Sequence, residues 1–339
     1  MSKAKSKKAI TINDVAARAG VSVSTVSRVL NNREDVSEET YKRVTQVIDE
    51  LAYSSSLAAK GMRSKKTGLI GLIMPDVHDP YSFKVMRGIN KGILELDQDL
   101  LVYTSGDVSQ NETAGREQHY ISLLNNGITD GVIIVTPMTS GYSSISPVVS
   151  IDPNIFDPRL PAVISSNVDG AYEATKYLIS LGHRRIGFVE GRMELQSAIG
   201  RKEGYVQALK EAGLPMMDEL VIPGGYSFSI TKEHAPQLLE LSEPPTAVFA
   251  SNDQSALGVR SAARELGLKI PEDLSIVGFD NIDSARDLEL TTVDQSIEEM
   301  GYMAAKILVD LIEGKSSYEL PYTVQTKLLL RKSTMALKQ

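Results

Sequence analysis

Residues 11–31, TINDVAARAGVSVSTVSRVLN, read as two short helices joined by a tight turn. Thr11 is a suitable N-cap, since its side chain can satisfy a backbone group that a first helical turn leaves without a partner. Asp14 adds an acidic group at the end of the helix where the dipole favours one. Ile12, Val15 and Ala16 form an apolar stripe at helical spacing. Ala19-Gly20-Val21 supplies the turn, and Gly20 is free to take the positive φ that a bulkier residue resists. Ser22 caps the second helix, whose buried face is Val26, Val29 and Leu30. Val23, Ser24, Thr25, Ser27 and Arg28 are left near the open face. A third helix starts after Ser37, with Val44, Val47, Ile48 and Leu51 closing a miniature core. A helix that turns small polar side chains and one arginine outward fits the DNA major groove. An ordinary helical hairpin with a solvated face would show the same periodicity, but here caps, turn glycine and outward residues agree with one another.

Charge separates this head from the rest of the chain. Residues 1–66 hold 13 basic and 7 acidic residues, a net of +6, whereas the remainder holds 23 and 36, a net of −13. The overall −7 therefore conceals a basic head on an acidic body. Such a head neutralises phosphates and binds more weakly as salt rises, while the acidic body is repelled by DNA. Lys3, Lys5, Lys7 and Lys8 read as a basic tail that adds affinity without reading sequence.

Other limits follow quickly. A length of 339 residues suits a small head with one large or two medium domains. The lack of cysteine removes disulfides and thiolate metal sites, and with no secretory pattern at the start it points to the cytoplasm. No apolar run approaches the length of a membrane span. His78, His119, His183 and His234 are too scattered for a metal motif, and His183, in LGHRRI, belongs at a helix end. No GxGxxG, P-loop or nucleophile–base arrangement emerges, so an enzyme is not expected and no cofactor is implied.

Beyond the head, short apolar runs at 69–74, 100–103, 131–135, 162–165, 186–189, 246–250 and 274–279 alternate with helical patterns at about 81–96, 113–125, 169–181, 198–212, 229–241, 253–266 and 297–313. That alternation predicts parallel sheets covered by helices. Ligands of open α/β sheets bind beyond the strand carboxyl ends, which directs attention to Asp280 after SIVGF and to Asn252-Asp253 after AVFAS. Asn252-Asp253 equally suits the cap of the following helix.

With the head, the segments LIGLIMPDVHDPY (69–81), LGHRRIGFVEG (181–191), AVFASNDQSALG (247–258), SIVGFDN (275–281) and LTTVDQ (290–295) make the chain resemble the lactose-repressor (LacI/GalR) family of bacterial transcription regulators, from about Thr11 to Arg331. The resemblance implies a small all-α helix-turn-helix head followed by a two-lobed α/β periplasmic-binding-protein-like domain. It places the DNA-binding head at 10–57, a hinge at 58–66 and an effector-binding and dimerisation body at 67–334. Lobe 1 then takes about 67–165 and 297–325, and lobe 2 about 166–296 and 326–334.

The same resemblance assigns residues. Arg201, in SAIGRKEGY, matches the arginine that usually reaches the effector, and Asp280 the carboxylate paired with a ligand hydroxyl or amine. Tyr81 and Ser82 match the opposite wall of the cleft, and Asp152, Ser165, Tyr226, Asn252 and Gln295 are further effector positions. An arginine, carboxylates and an aromatic face suit a polyhydroxylated ring or a purine. In the hinge, Met62 matches an apolar wedge that unstacks a base step in the minor groove, and Ala59 a neighbour in the paired hinge. Ser55 and Ser56 stand where Pro-Asn is usual, and Gly61 lowers helix propensity. In TPMTSGYSSISPVVSID, 136–152, the family's crossover helix is replaced by a segment too short and too rich in Gly, Ser and Pro to form one.

These readings combine into a ligand-controlled homodimer on a near-palindromic double-stranded operator. Val23, Ser24 and Arg28 face base edges, with Arg28 able to read guanine and Val23 a thymine methyl. Ser22, Thr25 and Ser27 lie mainly on phosphates, and Thr11 is a further DNA-binding position. The expected effector is a sugar or sugar derivative. A purine-like corepressor or a protein partner is the alternative, and a solute-binding role is opposed by the head. No long heptad tail follows Arg331, so a dimer is the expected assembly, with no membrane partner.

Overall fold

A computed structural model describes residues 10–30, 33, 35–51, 53, 66–106, 110–125, 127–139, 144–154, 160–315 and 318–337. They belong to two compact units, Met1–Thr67 and Gly68–Gln339. In the first, α1 (Ile12–Ala19), α2 (Val23–Leu30) and α3 (Glu38–Glu50) enclose a core of Ile12, Val15, Ala16, Ala19, Val26, Val29, Val44 and Val47. At the start of α1 the Asp14 carboxylate accepts both the amide and the hydroxyl of Thr11, each at 2.7 Å. Gly20 ends α1 at φ +67°, the left-handed conformation that closes the turn. Ser37 caps α3 by accepting the Thr40 amide. Leu30, Ile48 and Leu51 flank this core rather than fill it. Val23 also leans on the core and is half-buried, so it is less open than its place in α2 suggested. The hinge positions Ala59 and Met62 lie outside the described residues.

The second unit carries two six-stranded sheets. One contains β1 (Leu69–Met74), β2 (Asp99–Thr104), β3 (Gly131–Val135), β4 (Val148–Ile151), β5 (Ala162–Ser165) and a late strand, Tyr322–Val324, which pairs with β5. All of its pairings are parallel. The other contains β6 (Ile186–Glu190), β7 (Val221–Pro223), β8 (Ala247–Ala250), β9 (Ser275–Phe279) and β10 (Thr291–Asp294). Completing the numbering, the late strand is β11, and β12 (Lys327–Leu329) lies antiparallel on β10. The spatial orders are β11-β5-β4-β3-β1-β2 and β12-β10-β9-β8-β6-β7. Runs such as LIGLIM and GVIIV are buried at every residue, as strands covered by helices on both faces require. The short β7, β11 and β12 had no comparable apolar run; their pairing to a neighbouring strand defines them.

Helices α4 (Pro80–Glu95), α5 (Gln110–Asn125) and α11 (Ile297–Ile312) cover the first sheet. α6 (Asn167–Ser180), α7 (Gln196–Glu211), α8 (Phe228–Leu239), α9 (Asp253–Glu265) and the short α10 (Asp283–Asp287) belong to the second. α4 and α11 approach closely because glycines meet: a Cβ at Gly88 would land on the Glu298 carbonyl, and one at Gly301 on the Val85 carbonyl. His183 sits just beyond α6, buried between the Thr246 and Ser275 hydroxyls at 2.9 and 3.1 Å, and burial lowers its pKa.

Between β3 and β4 the described residues contain no helix. Glu117 of α5 holds the chain after β3 by accepting the Met138 and Thr139 amides at 3.0 and 3.2 Å. The chain passes between the sheets after Ser165, between Asp294 and Ile297, and between Val324 and Lys327. These passages are tied together: Ser165 donates to Gln295 Oε1 at 3.0 Å, and the Thr326 amide donates to Ser166 Oγ at 3.0 Å.

Candidate functional site

In the body, the side chains singled out by sequence gather at the carboxyl ends of the strands. Asp152 follows β4, Ser165 ends β5, Asn252 lies just beyond β8, Asp280 follows β9 and Gln295 follows β10. Arg201 comes from α7 and Tyr226 from the turn between β7 and α8. Tyr81 and Ser82 occupy the first turn of α4, where the Asp79 carboxylate accepts the Ser82 amide at 2.9 Å. Such strand ends are where open α/β sheets hold ligands, since helix N-termini and irregular loops converge there.

Arg201 is the hub. Its side chain is only 4% exposed, yet most of its fork is satisfied by protein. Nε donates to Asn167 Oδ1 at 2.8 Å, and Nη1 to the Ser251 carbonyl at 2.6 Å and to Asp280 Oδ1 at 3.3 Å. Nη2 reaches Gln295 Oε1 at 3.4 Å. The guanidinium lies 3.8 Å from the centre of the Phe279 ring, with Tyr226 at 5.3 Å. Burial works against the cation, but Tyr226, Asp280 and Asp152 more than compensate and raise its pKa.

Asp280 is equally buried, and desolvation pushes its pKa up to about 7 despite the opposing pull of Arg201. Its Oδ1 accepts from both Arg201 and Gln295 Nε2. Desolvation also raises Asp152, which Arg201 and the Ser197 hydroxyl partly offset. Asp152, Tyr226 and Asp280 all have positive φ, at 50°, 62° and 113°. Non-glycine residues hold such conformations only where surrounding contacts over-determine them. Tyr226 is locked by its hydroxyl contact with Ser197 at 3.2 Å, and Gly191 leaves room for its ring. Its pKa is pushed up to about 12 by burial.

Several polar groups remain open in this cluster, the buried Ser251 hydroxyl among them. The Tyr81 hydroxyl is buried without a hydrogen-bond partner, and desolvation followed by Asp152 and Asp280 raises its pKa well above the usual phenol range. Asp280 Oδ2 has no hydrogen bond with any described side chain. Unpaired buried polar groups are costly, and a ligand is one means of satisfying them.

The sequence-derived positions divide by how they are used. Tyr81, Asp152, Arg201, Tyr226 and Asp280 converge. Ser165 and Gln295 are buried and bonded to each other at two of the passages between sheets, so their polar atoms join the lobes. Asn252 caps α9 by accepting the Ser255 amide at 2.8 Å and also donates to the Tyr226 carbonyl. Asp253 is fully engaged, with Thr292 Oγ1 and the Ile282 amide as donors. Asn167, Ser197 and Phe279 were not anticipated. Ser197 stands one turn before Arg201 on α7, so helical spacing carried a partial signal for it, whereas strand alternation turns Phe279 away from its neighbour Asp280 and gave none.

In the head, Ser22 caps α2 by accepting the Thr25 amide at 3.1 Å, and its hydroxyl also meets those of Ser24 and Thr25 at 2.7 and 2.8 Å. Ser24 and Arg28, one turn apart, are exposed, and Thr25 and Ser27 are half-buried. Arg28 lies 3.6 Å from Asp35 with more than half its side chain in solvent, so the pairing constrains it little.

A compact helix-turn-helix unit accompanied by two α/β lobes with a polar cluster at their strand ends defines a ligand-responsive, DNA-binding transcription regulator rather than an enzyme. Residues 11–56 match the model described as "Bacterial regulatory proteins, lacI family", and residues 175–334 match the periplasmic binding protein-like domain. The chain is 35% identical over 341 residues to the HTH-type transcriptional repressor CytR of Escherichia coli (strain K12), covering 98% of each. Among solved structures, the lac repressor dimer bound to operator and the anti-inducer ONPF is 26% identical, with a TM-score of 0.82 over 97% of this chain and 100% of that one. The transcriptional regulator CelR–cellobiose complex is 28% identical, with a TM-score of 0.71 over 96% and 99%. The chain belongs to the lacI family of bacterial regulatory proteins.

Proposed function

We propose that this regulator is a cytoplasmic repressor that binds a near-palindromic operator as a homodimer and releases or engages it in response to a small sugar-like effector held between the lobes. The observation that carries the effector reading is the Arg201–Asp280 pair at the strand ends, faced by the partnerless Tyr81 hydroxyl. CelR, of the same architecture, is bound to cellobiose, and the lac repressor is a dimer on its operator. No helix among the described residues is long and apolar enough to cross a membrane.

In this reading α2 enters the major groove with Ser24 and Arg28 toward base edges, Val23 beside them at the edge of the head core, and Ser22, Thr25 and Ser27 toward phosphates, with Thr11 a further DNA-binding position. Residues 10–57 form the DNA-binding unit, 58–66 the hinge with Ala59 and Met62, and 67–334 the effector and dimer unit. The effector acts only through its different affinities for two arrangements of the lobes.

The test is operator selection from random duplexes, followed by fluorescence anisotropy with and without sugars. Arg28→Ala should lower affinity for the selected operator by about 10-fold to 100-fold with little change on random DNA, the size of one lost bidentate base contact. Equal selectivity in the variant would reject the recognition face. A monomer on DNA in sedimentation would reject the dimer.

A further inference from the structure

Every strong cation described near the cluster already has a protein partner. Arg201 is held by Asp280, Gln295, Asn167 and the Ser251 carbonyl. On the elements that build the site, Lys84 donates to the Asn281 carbonyl at 2.7 Å, and Arg87 pairs with Glu298 and Asp283. Arg192 pairs with Glu194, Lys202 with Glu190, and Arg331 donates to Asn281 Oδ1. No described basic group is left pointing into the cluster to receive an anion. The carboxylates are the reverse: Asp152 and Asp280 come from opposite lobes, with Asp79 and the buried Asp253 close enough to act on Asp280. Both Asp152 and Asp280 are already disfavoured as anions by desolvation. A further negative charge would either meet like charge in a poorly solvated space or force protons onto these carboxylates, and either outcome costs free energy.

What the cluster does offer is suited to hydroxyl groups. Asp280 Oδ2 and Asp152 are able to accept hydrogen bonds, and the Tyr81 hydroxyl, lacking a partner, is free to donate one. A hydroxyl can answer both demands, since it donates one hydrogen and accepts through its lone pairs. A phosphate dianion supplies no donor and would need a free guanidinium or ammonium.

We propose that the effector is a hydroxylated molecule without an anionic group, and that the paired carboxylates Asp152 and Asp280 exclude phosphorylated forms of the same compound. This rests on the small-molecule reading given above. It predicts that the regulator responds to a free glycoside or nucleoside as taken up or released by hydrolysis, before any kinase has acted on it.

The full-length protein is titrated calorimetrically with D-ribose, D-glucose and adenosine, each beside its phosphorylated partner: ribose 5-phosphate, glucose 6-phosphate and AMP. At least one free compound should bind about 30-fold or more tightly than its partner, and Asp152→Asn should narrow that ratio by about threefold or more. Circular dichroism and operator binding establish that the variant is folded. Equal or tighter binding of a phosphorylated partner overturns the charge exclusion but leaves the small-molecule reading standing. An unchanged ratio in a folded Asp152→Asn overturns the role of that carboxylate. If neither series binds at about 10 mM while operator binding is intact, both the exclusion and the small-molecule reading fall.

Discussion

Arg201 has most of its hydrogen-bonding capacity filled before any ligand arrives, so the residue that advertises the site is also a structural strut. Removing it would strand Asp280 as a buried charge and confuse stability with binding. Tyr81 separates the two. Its hydroxyl has no partner, so Tyr81→Phe should leave the thermal stability of the free protein unchanged or raise it by up to about 1 kcal/mol. Effector affinity should fall by about 5-fold to 30-fold, the size of one lost hydrogen bond. A clear loss of stability in calorimetry would mean that the hydroxyl is satisfied in the free protein. At this scale the family pattern led to Arg201, Asp280 and Tyr81. It did not reveal Asn167 or the Ser251 carbonyl as partners of Arg201, because neither lies near Arg201 in the chain: they meet only when β5 and β8 are aligned in space.

At the scale of elements, close approach and burial set two tests. α4 and α11 touch backbone to backbone at Gly88 and Gly301, leaving no room for a side chain. Gly301→Val should destabilise the body by about 1–3 kcal/mol, lowering Tm by several degrees, and an unchanged Tm would show that the helices separate without cost. Residues 138 and 139, after β3, depend instead on Glu117. Burial pushes its carboxyl up to about 7, against the pull of the Met138 and Thr139 amides. The folded state therefore binds a proton that the unfolded chain, with an ordinary glutamate, has already released above about pH 4.3. The group's contribution is fully present below that value and is lost as pH rises through about 7. Glu117→Gln cannot ionise, so wild-type Tm should fall relative to the variant between about pH 5 and 8, by an amount corresponding to ~2 kcal/mol. Parallel profiles would show that Glu117 titrates normally. The Gly, Ser and Pro content of 136–152 was legible in the sequence, but Glu117 looked like one more polar residue of an ordinary helix. What identifies it is that its face of α5 turns toward residues 138 and 139.

At the scale of the whole molecule, the proposed function routes the effector signal through the way the lobes meet. Gln295 lies on one passage between them and bonds to Ser165 on another, and it also holds Arg201 and Asp280. One carboxamide thus joins the candidate site to the joint between lobes. Gln295→Ala should keep operator binding in the absence of effector and reduce the effector-driven change in operator affinity by about 5-fold or more, a coupling of about 1 kcal/mol. An intact response measured by anisotropy would place the coupling elsewhere. The basic head and acidic body act at this scale too, favouring approach to DNA through residues 1–66.

The sequence by itself determined the helix-turn-helix head, the alternation that makes parallel sheets and the family. These depend on local signals: caps, a turn glycine, apolar periodicity and motif spacing. Only the tertiary structure decided which effector candidates are open and which are already engaged. Asn252 became a cap, Ser165 and Gln295 a joint, and Val23 a half-buried contact of the head core. A side chain's availability depends on what surrounds it, and in this body its neighbours come from strands that are distant in sequence and adjacent only in the folded sheets.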